Sequence, residues 1–407
     1  MNVMAISYWS MGESLTQSAG LPYMDMILKH LPANSFVYYL TLEKPEYAYS
    51  PEEKKSLKAQ LTKRRIIWLD YDYHPFGKRM MWQWMKILPS LHRLCRRDAV
   101  KLLISFGPVA GSSVYLLHKT TGIPFVVDGY EPHAQSMVEN GTWAPESLSF
   151  KLLSRFEKWQ TRSTFAVLAT SNRMDEYAKE TYGCSPKRFY VKRAVVDLDR
   201  FLLDEKPKEL VDRYGLADKT TLVYAGKFGG IYLEHEVFTF IKHCAEHWGD
   251  QFKVLLMTDT PRAQVEKYCS ETGVDPNIVI SFHARHEEVP DHLLLGDFAI
   301  NPVKPVPSKR YCTSVKDGEY WACGLPVVIP HDIADDSDII EERGIGAVLK
   351  GFAEADYKEA IQKMDAILQS EDLPAIKKRI RQTAIEYRSF EIADEVYREI
   401  LADLDWK

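Results

Sequence analysis

The sequence contains no apolar run of 18 or more residues, so no stretch of it reads as a membrane-spanning helix. Its opening, Met1-Asn2-Val3-Met4-Ala5-Ile6, has no basic leader ahead of the apolar residues, and no secretory signal is expected. Cysteine is scarce. The six present, Cys95, Cys184, Cys244, Cys269, Cys312 and Cys323, form no Cys-x-x-Cys pair and have no histidine at zinc spacing. That pattern is expected of reduced thiols in a cytoplasmic protein and excludes a disulfide scaffold. An excess of positive charge is also missing. The 52 Lys and Arg against 57 Asp and Glu leave a net charge of -5, which gives no general attraction to nucleic acid but permits local basic patches. There is no Gly-x-Gly-x-x-Gly, which argues against a nicotinamide dinucleotide, and no internal repeat or low-complexity segment.

What the chain does have is length and rhythm. Its 407 residues exceed what one hydrophobic core serves, so two domains of about 200 residues each are expected. Apolar residues make up 45% and charged ones 27%, an ordinary globular mixture. Short apolar runs alternate with helical patterns, predicting strands at 3–8, 36–42, 66–69, 102–106, 125–128 and 166–169 in the first half. The second half repeats the pattern at 221–224, 252–257, 278–282, 298–301, 326–329 and 347–349. Such alternation implies α/β architecture with parallel sheets covered by helices on both faces, twice over. The charged run 204–209 places the boundary within 202–218, and the pattern beyond residue 357 is helical to the end.

The most informative stretch is 314–328, Ser-Val-Lys-Asp-Gly-Glu-Tyr-Trp-Ala-Cys-Gly-Leu-Pro-Val-Val. A Ser/Lys loop enters a short helix, Gly324 stops it, and Pro326 leads into a buried strand. Glu319 then sits at a strand-end crevice, where a carboxylate can accept the two hydroxyls of a ribose. Ser314, Lys316 and the N–H groups of the helix start face phosphate.

This stretch resembles the retaining GT-B glycosyltransferases, in particular family 4, whose second domain carries a Glu-x7-Glu element followed by Ala-x-Gly-x-Pro-Val. Glu319 to Val328 match the second half, while Tyr311 stands where the first Glu would fall, and Ser314, Lys316, Glu319 and Tyr320 form the Ser-x-Lys-x-x-Glu-Tyr arrangement of a subset. Val195 to Phe201 are similar to the family's interdomain element. The resemblance implies two Rossmann-like doubly wound domains facing across a cleft: an acceptor domain over 1–203, a nucleotide-sugar domain over 204–385, and a terminal helix over 386–407 that packs back on the first domain. It implies transfer of a sugar from a UDP- or GDP-linked donor to the hydroxyl of a glycan, a lipid-linked acceptor or a small molecule, with retention and without a metal. The leaving diphosphate itself helps to take the acceptor proton. A UDP-sugar epimerase or hydrolase of the same fold, and a non-catalytic nucleotide-binding scaffold, are the alternatives.

The same resemblance gives roles to other segments. Gly20, before a helix bearing Pro22, falls at the family's Gly-Gly-x step beside the donor diphosphate. In Gly226-Lys227-Phe228-Gly229-Gly230, Lys227 takes the place of the phosphate-binding cation, flanked by Gly226 and Gly229. The family's second lysine has no counterpart, Ile231-Tyr232-Leu233-Glu234 standing there. Glu131 and His133, following a buried strand, fall near the sugar and the acceptor hydroxyl, and His283 lies in the loop that cups the base. Asp70-Tyr71-Asp72 has the form of a metal-binding Asp-x-Asp but the wrong context, and 335–338 reads as a solvated acidic loop and helix start. Residues 78–101 interleave Lys and Arg with Trp82, Trp84 and methionines. Two readings fit: a domain helix packed on the sheet and broken at Pro89, or a peripheral contact with the inner face of a membrane.

Overall fold

The computed structural model describes residues 1–75 and 77–404. The chain separates into two compact units, Met1–Arg193 with Glu391–Lys407, and Ala194–Phe390. The expected boundary at 203 therefore lies inside the second unit.

In the first unit seven parallel strands follow the order β3-β2-β1-β4-β5-β6-β7. They are β1 (Asn2–Ile6), β2 (Val37–Glu43), β3 (Ile66–Asp72), β4 (Val100–Phe106), β5 (Phe125–Tyr130), β6 (Ala166–Ala169) and β7 (Phe189–Val191). Consecutive residues on these strands are buried, as with Val3, Met4, Ala5 and Ile6 at 0% exposure. A strand covered on both faces has no polar side to alternate toward, which explains the unbroken apolar runs. Helices α1 (Leu21–Lys29) and α2 (Pro51–Lys63) return the chain leftward across the sheet. Helices α3 (Lys78–Arg97), α4 (Gly107–Thr121) and α6 (Leu148–Ser163) carry it rightward, with the short α5 (His133–Glu139) before the last of them. Right-handed crossovers then place α1 and α2 on one face, and α3, α4 and α6 on the other.

One expectation is corrected here. Helix α3 runs unbroken through Pro89. The proline deprives only the Met85 carbonyl of its partner, and both residues lie on the exposed side, where water replaces the missing N–H.

The second unit repeats the plan with six parallel strands in the order β10-β9-β8-β11-β12-β13. They are β8 (Thr220–Ala225), β9 (Phe252–Met257), β10 (Val279–Phe282), β11 (Phe298–Ile300), β12 (Val327–Pro330) and β13 (Gly346–Leu349). The helices used below are α7 (His235–Trp248), α8 (Val315–Ala322), α9 (Asp336–Arg343) and α10 (Leu373–Arg388). In each sheet the order reverses beside the first strand, between β1 and β4 and between β8 and β11. Loops leaving the C-terminal ends of the strands diverge there and open a crevice.

The terminal helix α11 (Phe390–Ala402) belongs to the first unit from Glu391 on. Asp394 pairs with Lys29 Nζ at 2.6 Å and with His30 Nε2 at 2.8 Å. Tyr397 donates to the carboxylate of Asp128, which also holds Lys192 at 3.0 Å, all three buried. Residues 405–407 of the expected terminal segment lie outside the described residues.

Candidate functional site

The crevice of the second unit is built where β8 and β11 part. Leaving β8, the chain passes Gly226, Lys227 and the left-handed pair Gly229 and Gly230, whose φ angles of 81° and 63° suit only glycine without strain. Leaving β11, it passes Asn301 to Val303. The two loops are joined by a bridge between Tyr232 and Val303 and by Leu233 N–H donating to Pro302 O at 2.7 Å. This pairing sets Tyr232 against α8, where Lys316 Nζ donates to its hydroxyl at 2.7 Å and lies 4.2 Å from its ring centre. The Lys316 stem crosses directly over Gly226. A Cβ at Gly226 would come within 2.6 Å of Lys316 Cε, so any other residue would push the ammonium off its seat. Lys227 is exposed, its backbone carbonyl accepting from Tyr224 Oη at 2.6 Å.

Glu319 stands one turn beyond Lys316 on α8, half-buried, and among the described residues its carboxylate has no hydrogen-bond partner. Burial pushes its pKa up to about 7, against the pull of Lys316 and Arg200. A carboxylate in that state has its acceptor capacity unused. Arg200 reaches the site because Arg381 on α10 donates to Ala322 O at 2.6 Å and to Leu198 O at 2.8 Å, tying the 198–201 segment to the end of α8. The Arg200 guanidinium in turn contacts His286 Nε2 at 2.5 Å and donates to its carbonyl.

The end of α8 follows the sequence reading. Gly324 takes φ 72°, its N–H donates to Trp321 O, and Leu325 N–H donates to Tyr320 O, closing both orphan carbonyls. The start of α8 differs from it. Ser314 makes no side-chain cap, and its N–H points to Asp336 Oδ2 at 3.4 Å. Asp336 is fully buried and pairs with buried Arg388 at 2.5 Å, so the expected solvated acidic loop is a correction: only a guanidinium from α10 makes burial of that carboxylate affordable. Asp317 lies beside it, accepting from Asn301 Nδ2 at 2.7 Å. Burial and the neighbouring charge of Asp336 push the pKa of Asp317 well above its ordinary value, against the pull of Arg388.

His283 follows β10, two strands from β8, about 10 Å along the sheet from the Gly226 loop. It is exposed and pairs with Asp259 at 2.5 Å. Among the described residues no cluster of His, Cys, Asp and Glu could hold a metal ion. Asp70 is held by Lys54 and Lys58, which lower its pKa despite partial burial.

In the first unit Gly20 ends a wide helical turn, Thr16–Gly20, that continues into α1, so it lies within a helix and not before one as expected. Its backbone is ordinary; glycine is required because a Cβ would meet Tyr39 Oη at 2.7 Å. Glu131 and His133 follow β5 and are paired, Oε1 to Nδ1, at 2.9 Å. Beside them is a residue that no local motif singles out. Glu157 on α6 is 1% exposed, accepts from Ala134 N–H and from Tyr182 Oη at 2.9 Å each, and has its pKa pushed up to about 7 by burial.

No protein-family model matches this chain, and no curated protein sequence does. Solved structures do. HepE of Anabaena in complex with UDP superposes over 99% of this chain and 100% of its own at TM-score 0.72 and 14% identity. A glycosyltransferase from Rickettsia africae covers 99% of each chain at TM-score 0.73 and 15% identity. The fold is GT-B. Sucrose-phosphate synthase of Thermosynechococcus elongatus shares it, at TM-score 0.71 and 14% identity over 99% of this chain and 100% of that one. At these identities the likeness is one of GT-B architecture.

Proposed function

We propose that this protein is a retaining glycosyltransferase that moves a sugar from a UDP- or GDP-linked donor to an acceptor hydroxyl. The observation that carries the reading is the pair Lys316 and Glu319 on one turn of α8, the lysine seated over Gly226 at the switch point and the carboxylate unpartnered beside it. Glu319 accepts the ribose hydroxyls, and Lys316 with Lys227 meets the diphosphate. The base lies toward the His283 loop, a nucleotide's length along the sheet. Two cations stabilise the diphosphate as it leaves, so no metal is required. Gly20 is assigned to the diphosphate and the Glu131–His133 pair to the acceptor, a glycan or lipid-linked sugar, by the family resemblance. HepE, which shares the fold, has been solved with UDP and with UDP-glucose.

Calorimetric titration with UDP-, GDP- and ADP-sugars tests this. One class should bind, and Glu319→Ala should weaken it about 10- to 100-fold, the worth of hydrogen bonds to a charged acceptor. Binding that the substitution leaves unchanged sinks the assignment. Transfer itself is read from formation of the glycosylated acceptor, and retention from the anomeric configuration of that product.

A further inference from the structure

The helical layer α3, α4 and α6 covers most of one face of the first sheet, and its charge is one-sided, the acids of that face, Glu139, Asp175, Glu176 and Glu180, lying on the shorter segments 133–139 and 174–182. Six Lys and Arg lie on α3, one on α4 and four on α6, against a single acid, Glu157, which is buried. This occurs in a chain whose net charge is -5, and α1 and α2 on the opposite face carry both signs. Two of the cations are already paired, Arg97 with Asp98 and Lys151 with Glu146. The same layer carries the exposed apolar surface. Of the eight large hydrophobic side chains exposed among the described residues of the first unit, Met81, Trp82, Met85, Leu116, Leu148 and Trp159 stand on these three helices. On α3 they are not the core stripe turned outward. Met80, Trp84, Ile87, Leu91 and Cys95 already pack on the sheet, while Met81, Trp82 and Met85 stand away from it, 56%, 60% and 61% exposed.

We propose that this layer is a docking surface for an anionic phospholipid bilayer. Charge complementarity selects the occupant: cations spread over three helices match a plane of lipid phosphates, and each contributes to binding at a negatively charged membrane. Tryptophan beside lysine, with Lys86 Nζ 4.9 Å from the Trp82 ring centre, presents an apolar body for the acyl boundary and a charge for the headgroup. No helix of the described residues is long and apolar enough to cross a membrane, so the contact is one of lying on the surface. The surface lies in the other unit from Glu319, and it stands or falls independently of the donor-site reading.

Cosedimentation of the full chain with phosphatidylglycerol/phosphatidylcholine vesicles tests it, with phosphatidylcholine alone as reference. Binding should require phosphatidylglycerol, fall about fivefold for each of Lys86→Ala and Arg93→Ala, and weaken with salt. Met81→Ala/Trp82→Ala/Met85→Ala, all at exposed positions, should lower vesicle binding while leaving retention by single-stranded RNA unchanged. Absence of binding to the anionic vesicles overturns the proposal. So does vesicle binding that the triple substitution leaves intact, since that marks a general polyanion surface. A concentration-dependent dimer dispersed by Trp82→Ala, measured by analytical ultracentrifugation, would assign the face to a second copy instead.

Discussion

Two acids with raised pKa values, buried Glu157 and half-buried Glu319, give this protein its pH dependence. Glu157 has an ordinary value of 4.5 and a folded one of about 7. Between those pH values the folded chain holds a proton the unfolded chain has lost, so its contribution is full below 4.5 and disappears as pH rises through 7. The first unit should therefore lose about 3 kcal/mol in urea unfolding between pH 5 and 8 from this group, and Glu157→Gln should flatten the slope. Glu319 titrates in the same range with a different readout. Its ionised form is the better acceptor of ribose hydroxyls, so donor affinity should rise from pH 6 to 8, and Glu319→Gln should make it pH-independent; an affinity unaltered by pH in the unsubstituted protein would count against the ribose role. At this scale the sequence disclosed Lys316 and Glu319 because one motif holds both. Arg200, Tyr232, Asp317, Asp336, Arg388 and Glu157 acquire their roles from partners 16 to 86 residues away, and no local spacing encodes such pairs.

Elements were the most legible level. Every strand expected from an apolar run is present, and β7 was not anticipated, because three half-buried residues at a sheet edge leave no run to read. The stop of α8 was legible for the opposite reason: a left-handed glycine before Leu-Pro is a local signal. Gly324→Ala would force a side chain into φ 72° and bring its Cβ to 2.6 Å from Leu203 Cδ1. We expect it to lower the stability of the second unit by about 1–3 kcal/mol, with donor affinity falling alongside as α8 shifts. Arg388→Ala takes from buried Asp336 the cation that pairs with it, and breaking a buried pair on one side costs about 3–5 kcal/mol. Arg388→Met with Asp336→Leu should recover much of that loss; a double substitution no better than the single would show that the pair does more than neutralise itself.

At the scale of the molecule, the chain leaves the first unit at Arg193 and returns to it at Glu391. Deleting the residues from 390 onward should lower the calorimetric transition of the first unit and leave that of the second near its original temperature, because Asp128 would lose Tyr397 and Asp394 would no longer hold Lys29 and His30. Equal losses in both transitions would mean that α11 supports the second unit as well. The return also bears on how the protein is made. A ribosome delivers Arg193 long before α11, and at about 5–20 residues per second the intervening unit takes about 10–40 s to emerge. Through that interval the nascent first unit has its sheet but not its last helix, with the apolar bed of Ile400 and Leu401 open and the Asp128–Lys192 pair uncovered. Of the two units, the one synthesised first is thus the last to be completed, and a chaperone that shields nascent chains would find its longer-lived target there.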